Sequence, residues 1–439
     1  MVKRTLTSTT SPAINTSIKN MTDYSTWTKD QLIARLNQLE SSSDTSTQQS
    51  STKKQKKQKE LDWSKYHSRF IAIRFAYLGW NYNGLAHQNE VTPLPTVEGT
   101  ILDALFKAKL IKEPTLESCR FSRCGRTDKG VSAMNQVISL NVRSVLTPEE
   151  QADSSNDIKE VRYASILNSL LPADIRITAI SLRPLPRFDA RFSCLSRHYK
   201  YMFLKEQLDI DAMNEAAKLY QGSHDFRNFC KVDGSKQITN YERDIYSAKI
   251  IPLGGDNPDM YCFDLKGSAF LWHQVRCMVA ILFLVGQGLE PITIVSDLLD
   301  TEKYPTKPQY GMANDAPLVL YDCTFPEMEW MSLSDMHALY KSKWSWTLFQ
   351  GLVYDHQIKS QMAQIMDSIV LSDKTGIDQK RINTGDGVGR IFSKYTPIVD
   401  RERGEHFEIS NAKWLDRKQK KKEEEADSKE QSEQDQANE

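Results

Sequence analysis

No stretch of this 439-residue chain is long and apolar enough to cross a bilayer, since the longest apolar run, Cys277–Gly286, is about half of what a membrane helix needs. The N-terminus, MVKRTLTSTTSPAINTS, lacks the apolar core of a secretory signal. Net charge is absent as well. Fifty-seven basic residues balance 57 acidic ones, so the total supplies no argument for a polyanionic partner. Cysteines number seven, an odd count without any C-x-x-C pair, which reads as reduced thiols rather than a disulfide framework or a zinc site. The eight histidines contain no H-x-x-x-H pair, so no metal is expected. These absences predict a soluble intracellular protein with reduced thiols and no membrane contact.

What is present is unevenly spread. Hydrophobic residues make up 39% and charged residues 26%, the balance of a globular protein with polar tails. Residues 1–62 read as a disordered basic tail carrying KKQKKQK at 53–59. Within it, WTKDQLIARLNQLE (27–40) has Leu32, Ile33, Leu36 and Leu39 at helical spacing, with Thr28 and Gln31 as a capping box. That helix either packs on its own domain or makes a partner contact, a homodimer included. At the other end, residues 327–414 form an extension with a looser pattern. Beyond it, 415–439, with RKQKKK running into EEEADSKEQSEQDQANE, is expected to be a charged disordered tail.

Between the tails, two runs of elements repeat in kind. FIAIRFAYLGW alternates as a strand, TVEGTILDALFKAKLI is a helix, NQVISLNVRS is a strand, and ILNSLLPADIRITAISL is a helix end, a proline stop and a strand. After residue 185 comes RHYKYMFL as a strand, AMNEAAKLYQG as a helix, and then YSAKIIPL and MYCFDLKGSAF as strands. LWHQVRCMVAILFLVGQG follows as a mostly buried helix, and APLVLYDCTF closes the set as a strand. Strands paired with helices twice over predict an α+β fold of two similar halves, 68–185 and 186–326.

One short loop carries the chemistry. RCGRTDKGVSA (123–133) sets a single carboxylate, Asp128, among Arg123, Arg126 and Lys129, with Gly125 and Gly130 on either side. Two readings stay open from composition. The loop is a structural turn whose cations lower the pKa of Asp128, or it holds an ionised carboxylate against a bound polyanion. A carboxylate is a competent nucleophile at a sugar's anomeric carbon, where the transition state is cationic. Glycosidases also need a second acid, and this loop has none. A hydrolase would have to recruit one from elsewhere, such as Asp189 or Asp225.

CGRTDKGVSA resembles the signature loop of the TruA family of tRNA pseudouridine synthases, and other segments of that family occur in the same order. YLGWNYNGLAHQ is similar to its first segment, NSLLPADIRI to its N-x-x-L-P-x-D-I-x-I segment, and FDARFSCLSRHYKY to the stretch with its stacking tyrosine. GSHDFRNF, KGSAFLWHQVRCMVAILFLVGQG and APLVLY match later segments, so the resemblance covers roughly 68–325. Lys129 and Ser132 stand where the bacterial loop has alanine and histidine. The loop, the 27–40 helix and YTPIVDRERGE (395–405) are closest to the eukaryotic subgroup acting at positions 38 and 39 of the anticodon arm.

The resemblance implies the pseudouridine synthase fold, in which two halves share one mixed, mainly antiparallel sheet around a basic central cleft. It implies Asp128 as the essential carboxylate, Tyr199 as the aromatic stacked on the flipped base, and Arg276 as the arginine pairing with the aspartate. Arg126 takes the place of the cation that helps extrude the base, and Arg123, Lys129 and Arg197 are expected phosphate contacts. The implied partner is the anticodon stem-loop of tRNA, and isomerisation needs no cofactor or metal. The alternatives are the same chemistry at other tRNA positions or a non-catalytic tRNA-binding chaperone. The lysine runs add sequence-blind RNA affinity or nuclear targeting, giving an expected location in nucleus and cytoplasm.

Overall fold

The computed structural model describes Thr28 and residues 61–88, 90–255, 257–340, 347–371 and 380–437. The expected 27–40 helix and the 53–59 lysine run therefore lie outside the described residues, Thr28 apart. Among the described residues, no helix is long and apolar enough to cross a membrane.

One ten-stranded sheet organises residues 62–437. The first half contributes β1 (His67–Tyr77), β2 (Ser122–Arg123), β3 (Ser132–Ser144) and β4 (Ile175–Ser181). The second contributes β5 (Ser196–Leu204), β6 (Gly222–Asp225), β7 (Glu242–Pro252), β8 (Met260–Gly267) and β9 (Leu318–Thr324). The order across the sheet is β10–β4–β1–β3–β9–β5–β8–β7–β6, with β2 also on β3 and with β10 (Met331–Ser332) drawn from the extension. Ladders within each half are antiparallel. The halves meet where β3 and β9 run parallel for two residue pairs, Ser132 opposite Val319 and Ala133 opposite Leu320. Mixed, mainly antiparallel and built from two similar halves, this is the architecture expected.

The reasons lie in the residues. In β1 the side chains of Ile71, Ile73, Phe75 and Tyr77 are buried on the face towards the core, and each is almost wholly removed from water. Helix Val97–Lys107 starts at Thr96, whose hydroxyl accepts the Gly99 N–H at 3.2 Å. Helix Gln274–Gly286 is buried along nearly its whole length, as its all-round apolar composition requires. It packs against helix Ile210–Lys218, so the second half repeats the helix-on-sheet layer of the first.

The boundary drawn at residue 326 is not a structural break. β10 pairs with β4 as an edge strand, Tyr395 donates to the buried Glu290, and Phe407 lies 4.9 Å from the Tyr241 ring. The C-terminal tail also differs from the expectation of disorder, because Phe407–Ala437 is one helix. Residues 405–437 contain neither glycine nor proline, and Lys, Gln and Glu are strong helix formers. Gln419 donates to Glu423 one turn on, at 3.1 Å. Charge content argued for disorder, and helix propensity outweighed it.

Candidate functional site

The loop carrying Asp128 connects β2 to β3 and therefore ends at the seam between the halves. Its backbone is pinned from several sides. Gln136 donates to the Gly125 carbonyl at 3.0 Å, Leu85 N–H to the Thr127 carbonyl at 3.2 Å, and Val131 N–H to the Asp128 carbonyl at 3.2 Å. The Thr127 hydroxyl shares a 2.6 Å hydrogen bond with Tyr77 at the end of β1. Of the two glycines that flank the aspartate, only Gly130 is conformationally required. Its φ is +80°, and a Cβ there would sit 2.8 Å from the carboxyl carbon of Asp315. Gly125 has ordinary backbone, and a Cβ there would meet only Arg197 Nε, at an ordinary contact distance of 3.7 Å.

This frame leaves the Asp128 side chain 30% exposed and facing the start of helix Gln274–Gly286. Trp272 Nε1 donates to Oδ1 at 3.2 Å, and His273 Nε2 lies 3.5 Å from Oδ2. His273 caps that helix with φ +62°, an uncommon conformation for a non-glycine residue, which turns its ring towards the carboxylate. Burial pushes the Asp128 carboxyl above its usual range; the charge of Arg276 and the Trp272 hydrogen bond oppose this, and Asp315 adds to it. That reverses the expectation that neighbouring cations would lower it, because burial is the larger influence and Arg126 and Lys129 are exposed. Burial also depresses His273 to about 4, aided by Arg276, Lys231 and Lys307, so the ring beside Asp128 is neutral at physiological pH.

Tyr199 arrives from the other half. It lies on β5 opposite Leu320 of β9, and Leu320 is in turn opposite Ala133 of β3, so one line across three strands joins it to the Asp128 loop. A bulge between His198 and Tyr199 shifts the β5–β9 register at that point, a common device for re-aiming a side chain at a site. The ring is 9% exposed and edge-on to Phe270, with centroids 5.0 Å apart. Burial holds its hydroxyl far above the normal range, with the Asp128 charge adding to the shift, so it stays protonated.

The other expected residues separate into two groups. Arg126 and Lys129 are exposed beside Asp128, where a phosphate could meet them. Arg123 is instead turned inward and forms an ion pair with the fully buried Glu98. Arg197 is a strut between the halves, donating to the Ser268 carbonyl at 2.8 Å and to the Cys124 carbonyl at 3.0 Å. Arg276 forms no direct ion pair with Asp128. Its Nε donates to the Ala313 carbonyl at 2.8 Å, and its charge reaches the carboxylate from a greater distance. Neither proposed second acid is available, because Asp189 accepts from Ser122 and from the Arg191 and Phe192 N–H groups, while Asp225 is paired with Arg227.

Sequence reasoning missed Trp272, His273 and Asp315 as neighbours of Asp128. Trp272 and His273 stand in a matching segment, LWHQVR, but no spacing links residue 272 to residue 128. The site also has a cationic wall. Lys231 lies over the Trp272 ring at 4.7 Å, and with Lys307, Arg390 and Arg401 it lines an adjacent recess of about 600 Å³. Two of these four cations come from the extension.

The chain is similar to several known proteins. Residues 216–326 match the family model described as tRNA pseudouridine synthase. Over 418 residues the chain is 51% identical to the tRNA pseudouridine(38/39) synthase of Saccharomyces cerevisiae, covering 91% of this chain and 93% of that one. It is 41% identical over 345 residues to the human protein of the same name, covering 75% and 69%. Against tRNA pseudouridine synthase A of Methanococcoides burtonii the identity is 31% over 310 residues, covering 70% and 98%.

Proposed function

Because the chain belongs to the tRNA pseudouridine synthase family, we propose that it isomerises uridine to pseudouridine at positions 38 and 39 of the tRNA anticodon arm, with Asp128 as the essential carboxylate. The observation that carries the residue assignment is the convergence on one seam of a single part-buried carboxylate, Asp128, and a buried aromatic, Tyr199. The bond between uracil N1 and ribose C1′ breaks, the base turns, and C5 joins C1′. The proton lost from C5 is balanced by the one gained at N1, so no group enters or leaves.

The chain's residues have distinct parts in this. Asp128 is more basic and more nucleophilic than a surface carboxylate, and Trp272 fixes its orientation by donating to Oδ1. Neutral His273 adds no full charge to compete for it. Tyr199 presents a ring for the flipped uracil and a protonated hydroxyl, and flipping costs on the order of a few kcal/mol. Arg126 and Lys129 meet the backbone of the stem-loop, and the Lys231, Lys307, Arg390 and Arg401 recess takes phosphates further along the arm. Residence in nucleus and cytoplasm belongs to the same proposal, resting on the two lysine runs, and imaging of the tagged full chain tests it.

The experiment is position-resolved pseudouridine mapping on an unmodified tRNA transcript with uridines throughout the anticodon arm, with Asp128→Asn as control. Pseudouridine confined to positions 38 and 39 is the expected result. Modification elsewhere in the tRNA overturns the positional part, and tight binding without pseudouridine overturns the enzymatic part.

A further inference from the structure

The seven cysteines are spread through the chain without metal-ligand spacing, yet the fold gathers three of them. Among the described residues, Cys124, Cys194 and Cys323 place their sulfur atoms within 4.8 Å of one another. They come from three separate segments. Cys124 lies between β2 and Asp128, Cys194 precedes β5, and Cys323 is on β9. Cys124 and Cys323 are 1% and 2% exposed, whereas Cys194 is half-buried and gives the cluster a side open to solvent.

The surroundings suit a charged sulfur cluster better than an inert apolar one. Arg197 pairs with Cys323 across β5 and β9, and its guanidinium donates to the Cys124 carbonyl at 3.0 Å. The Cys124 N–H is held by the Val137 carbonyl at 2.9 Å, so the backbone carrying that sulfur is fixed. A fixed cation beside three thiols offsets the negative charge they would carry when ionised.

We propose that Cys124, Cys194 and Cys323 form a three-thiolate site for a zinc ion, with the fourth position taken by water on the Cys194 side. With bonds of about 2.3 Å, tetrahedral zinc sets its sulfurs ~3.8 Å apart, so closing from 4.8 Å or less needs only small side-chain rotations. A disulfide would need a far larger closure, to about 2.0 Å, and would leave the third sulfur out. Binding releases three protons to solvent and leaves three thiolates and one zinc(II) with a net charge of −1, which Arg197 offsets. The ion takes no part in isomerisation. It clamps the segment four residues before Asp128 to the segment five residues before Tyr199, so it holds the two halves of the catalytic seam in register. This inference does not depend on which uridine is modified, or on catalysis at all.

The test is elemental analysis of the full chain, purified without chelators from zinc-supplemented cells and desalted. One zinc per chain is expected, falling at least tenfold in Cys194→Ser and remaining in Cys119→Ser and Cys262→Ser, whose thiols lie outside the cluster. Replacing zinc by cobalt(II) in the parent should give an intense sulfur-to-cobalt charge-transfer band. Parent protein that stays metal-free after incubation with excess zinc overturns the proposal, as does zinc retained in full by Cys194→Ser. An intact mass showing a disulfide between any two of the three also overturns it. Because the parent measurement is decisive, a variant that fails to fold does not shelter the idea.

Discussion

Arg123 is the residue for which sequence and structure make opposing forecasts, so its replacement separates them. Read from the loop, it is a phosphate contact whose loss weakens RNA binding. Read from the fold, it is the cation paired with Glu98, which is wholly buried at the first turn of helix Val97–Lys107 and also accepts the His87 N–H at 2.8 Å. Burial pushes the Glu98 carboxyl up, and Arg123 is the largest influence holding it down. Arg123→Met keeps the aliphatic stem but leaves that carboxylate unpaired, which costs about 3–5 kcal/mol. Against a total stability of roughly 5–15 kcal/mol, that loss is severe. The sign with pH is also fixed. Glu98 without its partner has a further raised pKa, so the penalty is full well above that pKa and fades as acid protonates the group. Glu98→Gln combined with Arg123→Met removes the charge and keeps the acceptor for His87, so it should recover most of the loss. Guanidinium unfolding of the parent, Arg123→Met and the double variant, alongside tRNA affinity, is the assay. Arg123→Met that unfolds at the parent midpoint while binding tRNA more weakly would refute the structural reasoning.

Asp128→Asn should abolish pseudouridine formation, leave tRNA affinity within a few-fold, and raise the thermal midpoint at neutral pH, because an ionised carboxylate held above its usual pKa destabilises the fold there; a lower midpoint would mean the charge supports the loop. Tyr199→Phe should bind tRNA normally but release the carbon–carbon-linked product more slowly, and equal single- and multiple-turnover rates in parent and variant would remove the hydroxyl from proton transfer. His273 binds its proton near 6.5 when unfolded and at about 4 when folded, so it costs stability as pH falls through that interval, by up to about 3 kcal/mol before screening. The facing charges are Arg276, Lys231 and Lys307 against Asp128, and His273→Asn should flatten the slope of unfolding free energy between pH 6.5 and 4.

Much of the fold was legible because each element is locally consistent. Alternation in FIAIRFAY, the all-round apolar run in Gln274–Gly286, and the proline stop at Pro172 are signals contained in a dozen residues or fewer. Asp128 and Tyr199 were singled out through ordered motifs, a signal of the same local kind, and the fold brings the two to one seam. Contacts between distant segments left no such trace. Arg123 sits two positions from Gly125 in the loop, and only the β2–β3 pairing turns it towards Glu98. Arg197 was counted as a free cation, although its partners are backbone carbonyls, which have no sequence identity to read. The tail failed for a different reason, since composition measures the lack of a core and says little about a solvated helix.

The seam explains why the site needs both halves. The parallel contact between β3 and β9 is only two residue pairs long, yet it lies at the entry to β3, directly after the Asp128 loop. A short parallel contact leaves the carbonyls and N–H groups around it free to take other partners, and Trp80 uses one of them, donating to the Ala316 carbonyl just before β9 at 3.1 Å. The Asp128 loop runs directly into β3 and is tied through Arg197 to β5 and the end of β8, while among the described residues Trp272 is the one hydrogen-bond donor to the Asp128 carboxylate. A carboxylate with more donors would have a depressed pKa and a weaker drive to react. One donor, a neutral histidine and a distant arginine leave it oriented, with burial holding its carboxyl above the usual range. The rigidity is supplied by residues around Asp128, and the basicity that the proposed reaction asks of it follows from how few of them touch it.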